Sequence, residues 1–576
     1  MSTRNGADCV VEGLSKCGVK TIFGLPGGMV LDLFSKIYHA PFEFILTRHE
    51  QGAAHMADGY ARATGKVGCC IVTSGPGATN AVTGIATAYM DGVPMVCISG
   101  QVPCSMIGND AFQEADIVGI TRAITKHNYL VKNVEELPRI IMEAFHIAST
   151  GKPGPVLIDI PKDIQRTLTD VGFPDKVAIR GYKPVIKGHP KQINNLAEHI
   201  NKSVRPLLYV GGGVIAGDAS KELYDLAKKA NIPVTTTLLG LGAFPETDPL
   251  AVRMLGMHGT VPANTAVSKC DLLIAVGARF DDRVTGKVSE FAPHATIAHI
   301  DIDPSAIGKS VRTDIPVVGD VKDVLVDLIG HVKHSDRKVW LDEVAKWQKD
   351  FPLTYDHKDP SLLPQQVIEE IYNVTRGDAL IVTDVGQHQM WAAHFYKYTK
   401  PRSFLSSGGL GTMGFGLPAA IGAQAGLRDA KVVTISGDGS IQMNFQELVV
   451  AVENDLPVKV VILNNGHLGM VRQWQEMFYK KEYSASVLTQ QNRHEFKHGN
   501  RRPERTGYLP DFVKMADAQG ALGLRVEKKG ELISGLKKIM DYDGPAVLEC
   551  MVKPDENVYP MVPPGASLTE MVHSLA

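Results

Sequence analysis

The chain has 576 residues, with 60 Lys and Arg against 62 Asp and Glu and a net charge of −2. That balance gives no bulk electrostatic case for nucleic acid or an acidic polymer, and no apolar run reaches the ~18 residues that a membrane span needs. At ~150 residues per domain the length allows three to four domains, and 44% hydrophobic residues suit a soluble globular protein.

The N-terminus, Met1-Ser2-Thr3-Arg4-Asn5-Gly6, lacks the apolar stretch of a signal peptide, so a cytoplasmic protein is expected. Short apolar runs then alternate with amphipathic stretches: Phe42–Leu46, Val67–Thr73, Pro94–Ser99, Val156–Ile160, Leu207–Val210, Asp271–Val276, Ala379–Thr383, Lys431–Ile435 and Val458–Leu463. This pattern predicts βα units with buried parallel strands, an α/β protein of three doubly wound parallel-sheet domains. Residues 171–192, rich in Pro and Lys, and the charged stretch 331–364 read as linkers. They divide the chain into 1–170, 190–335 and 360–576, the last with a C-terminal tail expected over the site. The eight cysteines form no CxxC pair, which predicts buried free thiols rather than a zinc site or disulfides.

In the first domain, Phe42–Leu46 leads into Arg48-His49-Glu50-Gln51-Gly52 and a small-residue helix up to Arg62. In isolation Glu50 is a helix-start charge favoured by the dipole. Tight turns stand at Leu25-Pro26-Gly27-Gly28 and Ser74–Asn80, and Lys152 lies in Gly151-Lys152-Pro153-Gly154-Pro155. In the second domain Gly211-Gly212-Gly213 follows a strand, alone a weak nucleotide signal.

In the third domain Lys431–Ile435 ends in Ser436-Gly437-Asp438-Gly439-Ser440, and Val458–Leu463 ends in Asn464-Asn465, with a helical stretch Phe445–Asn454 between. Asp438 and Asn465 then share the C-terminal edge of one parallel sheet, where ligands bind. A charged and a neutral hard oxygen suit Mg²⁺, and the glycines let backbone amides approach phosphate. Gln490–Gly507 is basic and nearly devoid of apolar residues, either a solvated loop or an active-site flap.

The spaced Gly437-Asp438-Gly439 and Asn464-Asn465 resemble the signature of the thiamine diphosphate-dependent enzymes. The resemblance implies that Asp438, Asn465 and the backbone carbonyl of His467 hold Mg²⁺ against the cofactor's diphosphate, with Gly386, Gln387, His388, Gly437, Gly439, Ser440 and Met470 around it. It makes Glu50 the carboxyl that activates the pyrimidine, beside Pro26, Gly27, Pro76 and Asn80. The Gly411 carbonyl would accept from the cofactor's amino group, and Met413 would wedge under its bend; ordinary core packing is the plain alternative for Met413. In this superfamily the two ends of the cofactor are held by different subunits. A homodimer or homotetramer with interfacial sites is therefore implied.

Gly108–Ile117, Thr125-Lys126-His127, Ala278–Gly286, Gly469–Tyr479 and Glu556–Pro563 are similar to acetohydroxyacid synthase (acetolactate synthase), a similarity running from about residue 5 to the C-terminus except for 490–507. It implies a transferase that decarboxylates pyruvate and joins the two-carbon unit to a second pyruvate or to 2-ketobutyrate, the first common step toward valine, leucine and isoleucine. It also leaves room for a small regulatory subunit. Arg283 would anchor the acceptor's carboxylate, work that suits a guanidinium fork. Trp474 would shape the acceptor pocket, Gln113 would lie by the reacting carbon, and Phe112, Lys162, Met470 and Val471 would line the entrance. FAD, structural rather than redox-active, would be held by Lys152, Gly211, Gly212, Gly213, Thr237, Leu238, Leu255, Gly256, Met257, His258, Gly277, Arg279, Asp281, Val284, Asp301, Ile302, Gly319 and Asp320. Leu25 stands where the family has Tyr, and Lys152 where it has Arg, which removes a bidentate fork and predicts weaker FAD binding. The 490–507 insertion would lengthen a flap. The competing expectation is a pyruvate oxidase-type enzyme, which would also use FAD and thiamine diphosphate.

Overall fold

The computed structural model describes residues 4–488 and 509–573, so the flap expected at 490–507 lies outside the described residues. Three six-stranded sheets form, each parallel throughout. In the first the strands run side by side as Glu43–Leu46, Thr21–Leu25, Gly68–Val72, Met95–Gln101, Pro155–Pro161 and His127–Leu130. In the third they run as Phe404–Leu405, Leu380–Thr383, Val432–Gly437, Lys459–Asn464, Ala546–Met551 and Leu522–Val526. Counted in chain order within each sheet, both read 2-1-3-4-6-5. The middle sheet (Ala251–Met254, Val234–Thr236, Pro206–Val210, Leu272–Val276, Thr296–Asp301, Ile315–Val318) reads 3-2-1-4-5-6, the winding that binds dinucleotides where the order reverses.

The strands read as apolar runs because both faces of each sheet are covered. Alternate residues of one strand enter different cores. Phe23, Cys70, Val72 and Cys97 point into one, and Ile22, Cys69, Ile71 and Val96 into the other. The middle sheet divides likewise, with Leu208 and Ile274 on one face and Leu207 and Leu273 on the other. The first core is shared with the third sheet through Val382, Val460 and Ile462. It is built around two helices, Glu50–Thr64 and Gly416–Gly426, each following the second strand of its sheet. They cross backbone to backbone: a Cβ on Gly59 would lie 2.0 Å from the Ala419 carbonyl oxygen, and one on Gly422 1.9 Å from that of Met56.

Residues 171–189 carry no helix or strand, and Lys338–Asp350 is a helix whose Trp340 indole donates to the Pro206 carbonyl. A short helix Asp438–Ile441 comes first, and the stretch Phe445–Asn454 then opens with a tight 3₁₀ turn, Phe445–Glu447, before the helix Leu448–Glu453. All eight cysteines are free and six are buried. No helix among the described residues is long and apolar enough to cross a membrane.

Candidate active site

The third sheet reverses its order between Leu380–Thr383 and Val432–Gly437, which opens a crevice at their C-terminal ends. A small cavity there is lined by Gly386, Gln387, His388, Gly437, Asp438, Gly439, Ser440, Asn465, His467 and Met470. Asp438 is buried and burial pushes its carboxyl up to about 7, against the pull of the Gly439, Asn465 and Gly466 amides. Its Oδ2 has no hydrogen-bond partner. Asn465 Oδ1 accepts from the His467 amide at 3.0 Å. Among the described residues no cluster of three His, Cys, Asp or Glu could hold a metal by itself. One orphaned carboxylate oxygen, one amide oxygen and space for phosphate fit Mg²⁺, which keeps water and phosphate in its shell. His388 packs its ring on Gly386 and Gly437, where a Cβ would come within 2.9 Å of it, and burial lowers its imidazole to about 3, so it stays neutral.

Asp384, at the end of the neighbouring strand, holds the following loop in place. Its Oδ1 accepts from the Gly414 amide at 2.8 Å, and its Oδ2 faces the Ser436 hydroxyl at 3.3 Å. This turn places Met413 against the crevice and Gly411, at φ +70°, in the adjoining long cavity.

A second cavity, about 760 Å³, runs from this crevice across the middle domain. The two share Val385, Gly386, Met413, Met470 and Val471. Its middle-domain wall is Gly211, Gly212, Gly213, Thr237, Leu238, Leu255, Met257, His258, Gly277, Arg279, Asp281, Val284, Asp301, Ile302 and Asp320, and Lys152 closes it from the first domain. At the switch point Gly213 and Gly277 touch, since a Cβ on Gly277 would lie 2.8 Å from Gly213 Cα. His258 Nδ1 is buried there without a partner. A long cavity at a dinucleotide switch point, with an orphaned buried nitrogen, fits FAD. Lys152 faces Asp303 at 3.6 Å. Gly256 and Gly319 do not line the cavity. They are required by backbone packing instead, on the Arg283 carbonyl at 2.5 Å and the Gly188 amide at 2.8 Å from a would-be Cβ.

At the cavity's mouth the Arg283 guanidinium, more than half exposed, lies over the Trp474 ring, and Trp474 Nε1 is buried without a partner. The described residues of the C-terminal tail are not among the lining of either cavity. It runs behind the helix Gly469–Phe478, where Val558 exchanges two hydrogen bonds with Gln473, and then bonds the middle domain through Val562 N and the Met257 carbonyl. The apolar wording of Glu556–Pro563 reflects that packing.

The remaining predicted residues form a separate cluster at the edge of the first sheet, and none of them lines either cavity. Glu50 is the first residue of its helix and is buried, and Asn80 Nδ2 donates to its Oε2 at 3.0 Å. A Cβ on Gly27 would lie 2.6 Å from Thr73, and one on Gly75 2.7 Å from the Gln113 carbonyl oxygen. Gln113 sits at φ +60°, Lys162 Nζ donates to the Gly28 carbonyl at 2.9 Å, and Pro76 is exposed. Leu25 ends its strand paired with Val72. Phe112 is 82% exposed, far more than a buried phenylalanine in a finished pocket. In one chain, then, the two halves of the predicted site share no cavity.

Sequence reading missed Asp384, Gln473 and Glu447. Glu447 is buried against the turn before Glu50, and its Oε2 accepts from the Arg48 amide at 3.1 Å. Only the strand-end position of Asp384 carried a signal.

Comparison with known families bears on this geometry. Residues 4–120 match the thiamine pyrophosphate enzyme N-terminal TPP binding domain, 193–328 the central domain and 384–550 the C-terminal TPP binding domain. The acetolactate synthase large subunit of Buchnera aphidicola is 47% identical over 99% of both chains. The probable acetolactate synthase large subunit of Methanocaldococcus jannaschii is 48% identical over 99% of this chain and 95% of its own. The acetolactate synthase isozyme 3 large subunit of Escherichia coli is 44% identical over 99% of both.

Proposed function

The chain belongs to the acetolactate synthase large subunits of the thiamine pyrophosphate enzyme family, and from that premise we propose that it decarboxylates pyruvate and ligates the two-carbon unit to a second pyruvate or to 2-ketobutyrate. It carries two TPP-binding domains. Thiamine diphosphate, when bound, would supply the carbon nucleophile that decarboxylation of a 2-ketoacid requires. Asp438, Asn465 and the His467 carbonyl are the residues that would hold Mg²⁺.

Glu50 works at the pyrimidine end. Asn80 occupies Oε2, and Gly77, whose absent Cβ would stand 3.2 Å from Oε1, leaves that oxygen free to exchange a proton. Gly411 and Met413 shape the bend. Because the Glu50 cluster lines neither cavity, its site is completed by a second copy, whose surface covers Phe112 and Gln113. FAD fills the long cavity as a structural group, and a small subunit joins the assembly, as the word "large" in its relatives' names suggests.

The observation that carries ligation is Arg283 over Trp474 at the mouth of the cavity. A cation for the acceptor's carboxylate beside an aromatic face for its side chain is what a second 2-ketoacid requires. The test is a product assay with pyruvate, with and without 2-ketobutyrate, run beside Glu50→Gln. Acetolactate, and acetohydroxybutyrate when 2-ketobutyrate is added, is the expected result. Oxygen or quinone consumption in place of these products would overturn the reading in favour of an oxidase.

A further inference from the structure

Asn465 can give the metal an oxygen only if its amide faces the right way, and inside the crevice the His467 amide, which can only donate, marks the oxygen end from 3.0 Å. A second chain of bonds holds the other end of the amide from outside the crevice. The Val558 amide in the C-terminal tail can only donate, so the Gln473 atom 2.9 Å away must be oxygen, while Nε2 of the same amide meets the Val558 carbonyl at 3.1 Å. Gln473 Oε1 stands 2.8 Å from Gln387 Nε2, which also reaches the Glu556 carbonyl at 3.0 Å, so that atom must be nitrogen. Gln387 therefore turns its oxygen toward Asn465 and takes a hydrogen bond from Nδ2 at 3.3 Å. With Nδ2 held by Gln387, Asn465 Oδ1 accepts from the His467 amide on one lone pair and keeps the other for the metal. Gln473 is fully buried, and Gly469 closes the junction, since a Cβ there would lie 2.1 Å from Gln387 Oε1. A polar chain in such a setting is satisfied in one direction only.

We propose that Gln473 and Gln387 form an amide relay through which the tail residue Val558 fixes the Asn465 side-chain oxygen toward Mg²⁺, making Gln473 a positioning residue of the metal site. The inference rests on the metal reading given above. Residues behind a metal ligand typically set its affinity by roughly 10–100-fold.

The test is calorimetric titration of Mg²⁺ into the full chain with saturating thiamine diphosphate, with thermal midpoints as the check on folding. Gln473→Met is expected to raise the dissociation constant roughly 10–100-fold, and Gln387→Met, which cuts the next link, does the same and carries the test if the first variant fails to fold. In the Asn465→Asp background the carboxylate offers two equivalent oxygens and needs no orienting. There Gln473→Met is expected to change the constant by less than about threefold. An unchanged constant in Gln473→Met, or equal losses in both backgrounds, would overturn the relay. If the unaltered chain binds Mg²⁺ no better than Asp438→Asn does, the metal reading falls and the relay with it.

Discussion

The Arg283 guanidinium lies 5.5 Å from the centre of the Trp474 ring, a contact between a short helix of the middle domain and a helix of the C-terminal domain. Two chains of bonds set its geometry. The Met257 amide bonds the Arg283 carbonyl at 2.7 Å, Val562 N bonds the Met257 carbonyl at 2.7 Å, and Gln473, next to Trp474, is held by Val558. One tail segment thus registers both partners.

Substitution of the pair is expected to separate acceptor binding from donor chemistry. Arg283→Lys keeps the charge but loses the planar fork, and should lower kcat/KM roughly 10–100-fold, the worth of about 1.5–3 kcal/mol for a charge-assisted bond. Trp474→Leu should mainly shift the ratio of the two products. Competition assays with both 2-ketoacids measure this. An unchanged ratio would remove Trp474 from the acceptor pocket.

Glu50→Gln removes the exchangeable proton while Asn80 keeps a partner. Turnover should fall roughly 10²–10⁴-fold with thiamine diphosphate still bound, as read by fluorescence quenching on cofactor titration. Loss of binding in parallel with turnover would assign Glu50 a purely structural part.

Glu447 predicts a pH dependence. Burial raises its carboxyl from 4.5 to about 7, against the pull of the Arg48 and His49 amides and helped by the nearby Glu50 charge. A raised acid binds more protons folded than unfolded, so it lowers stability as pH rises from about 4.5 to about 7, with no further change above. Glu447→Gln is neutral throughout. The variant should match the unaltered chain near pH 4.5 and exceed it in thermal midpoint near pH 8. A midpoint difference that is flat with pH would contradict this.

Gly277→Ala tests the long cavity. Its backbone is at φ +56° and its new Cβ would collide with Gly213. The unaltered chain should purify with flavin absorbance and the variant without it, with its secondary structure retained by circular dichroism.

The glycine turns and the paired Asp438 and Asn465 were legible because each follows a strand whose apolar run is plain in the chain. The division of the site came from the family resemblance alone, since no local pattern says that the Glu50 cluster and the Asp438 crevice line different surfaces. Gln473 reads as one more polar residue of an amphipathic helix. Its burial depends on Val558, which is brought to it only by the fold. Gly256 and Gly319 are ambiguous in the sequence for the opposite reason, because tight backbone packing and cofactor contact demand the same residue.

The shared winding of the two outer sheets has a consequence for how the chain is held together. Glu50–Thr64 and Gly416–Gly426 occupy the same place in their respective sheets, and each presents a glycine to the other's carbonyl. The junction is built like the isologous interface of a twofold dimer, but inside one molecule. Self-complementarity there has to be met by two sequences that are free to drift apart. A side chain added near that internal axis is therefore felt from both sides, so Gly59→Ala and Gly422→Ala should each cost at least the ~1–3 kcal/mol of overpacking. Their thermal midpoints should fall in parallel, whichever of the two domains carries the change.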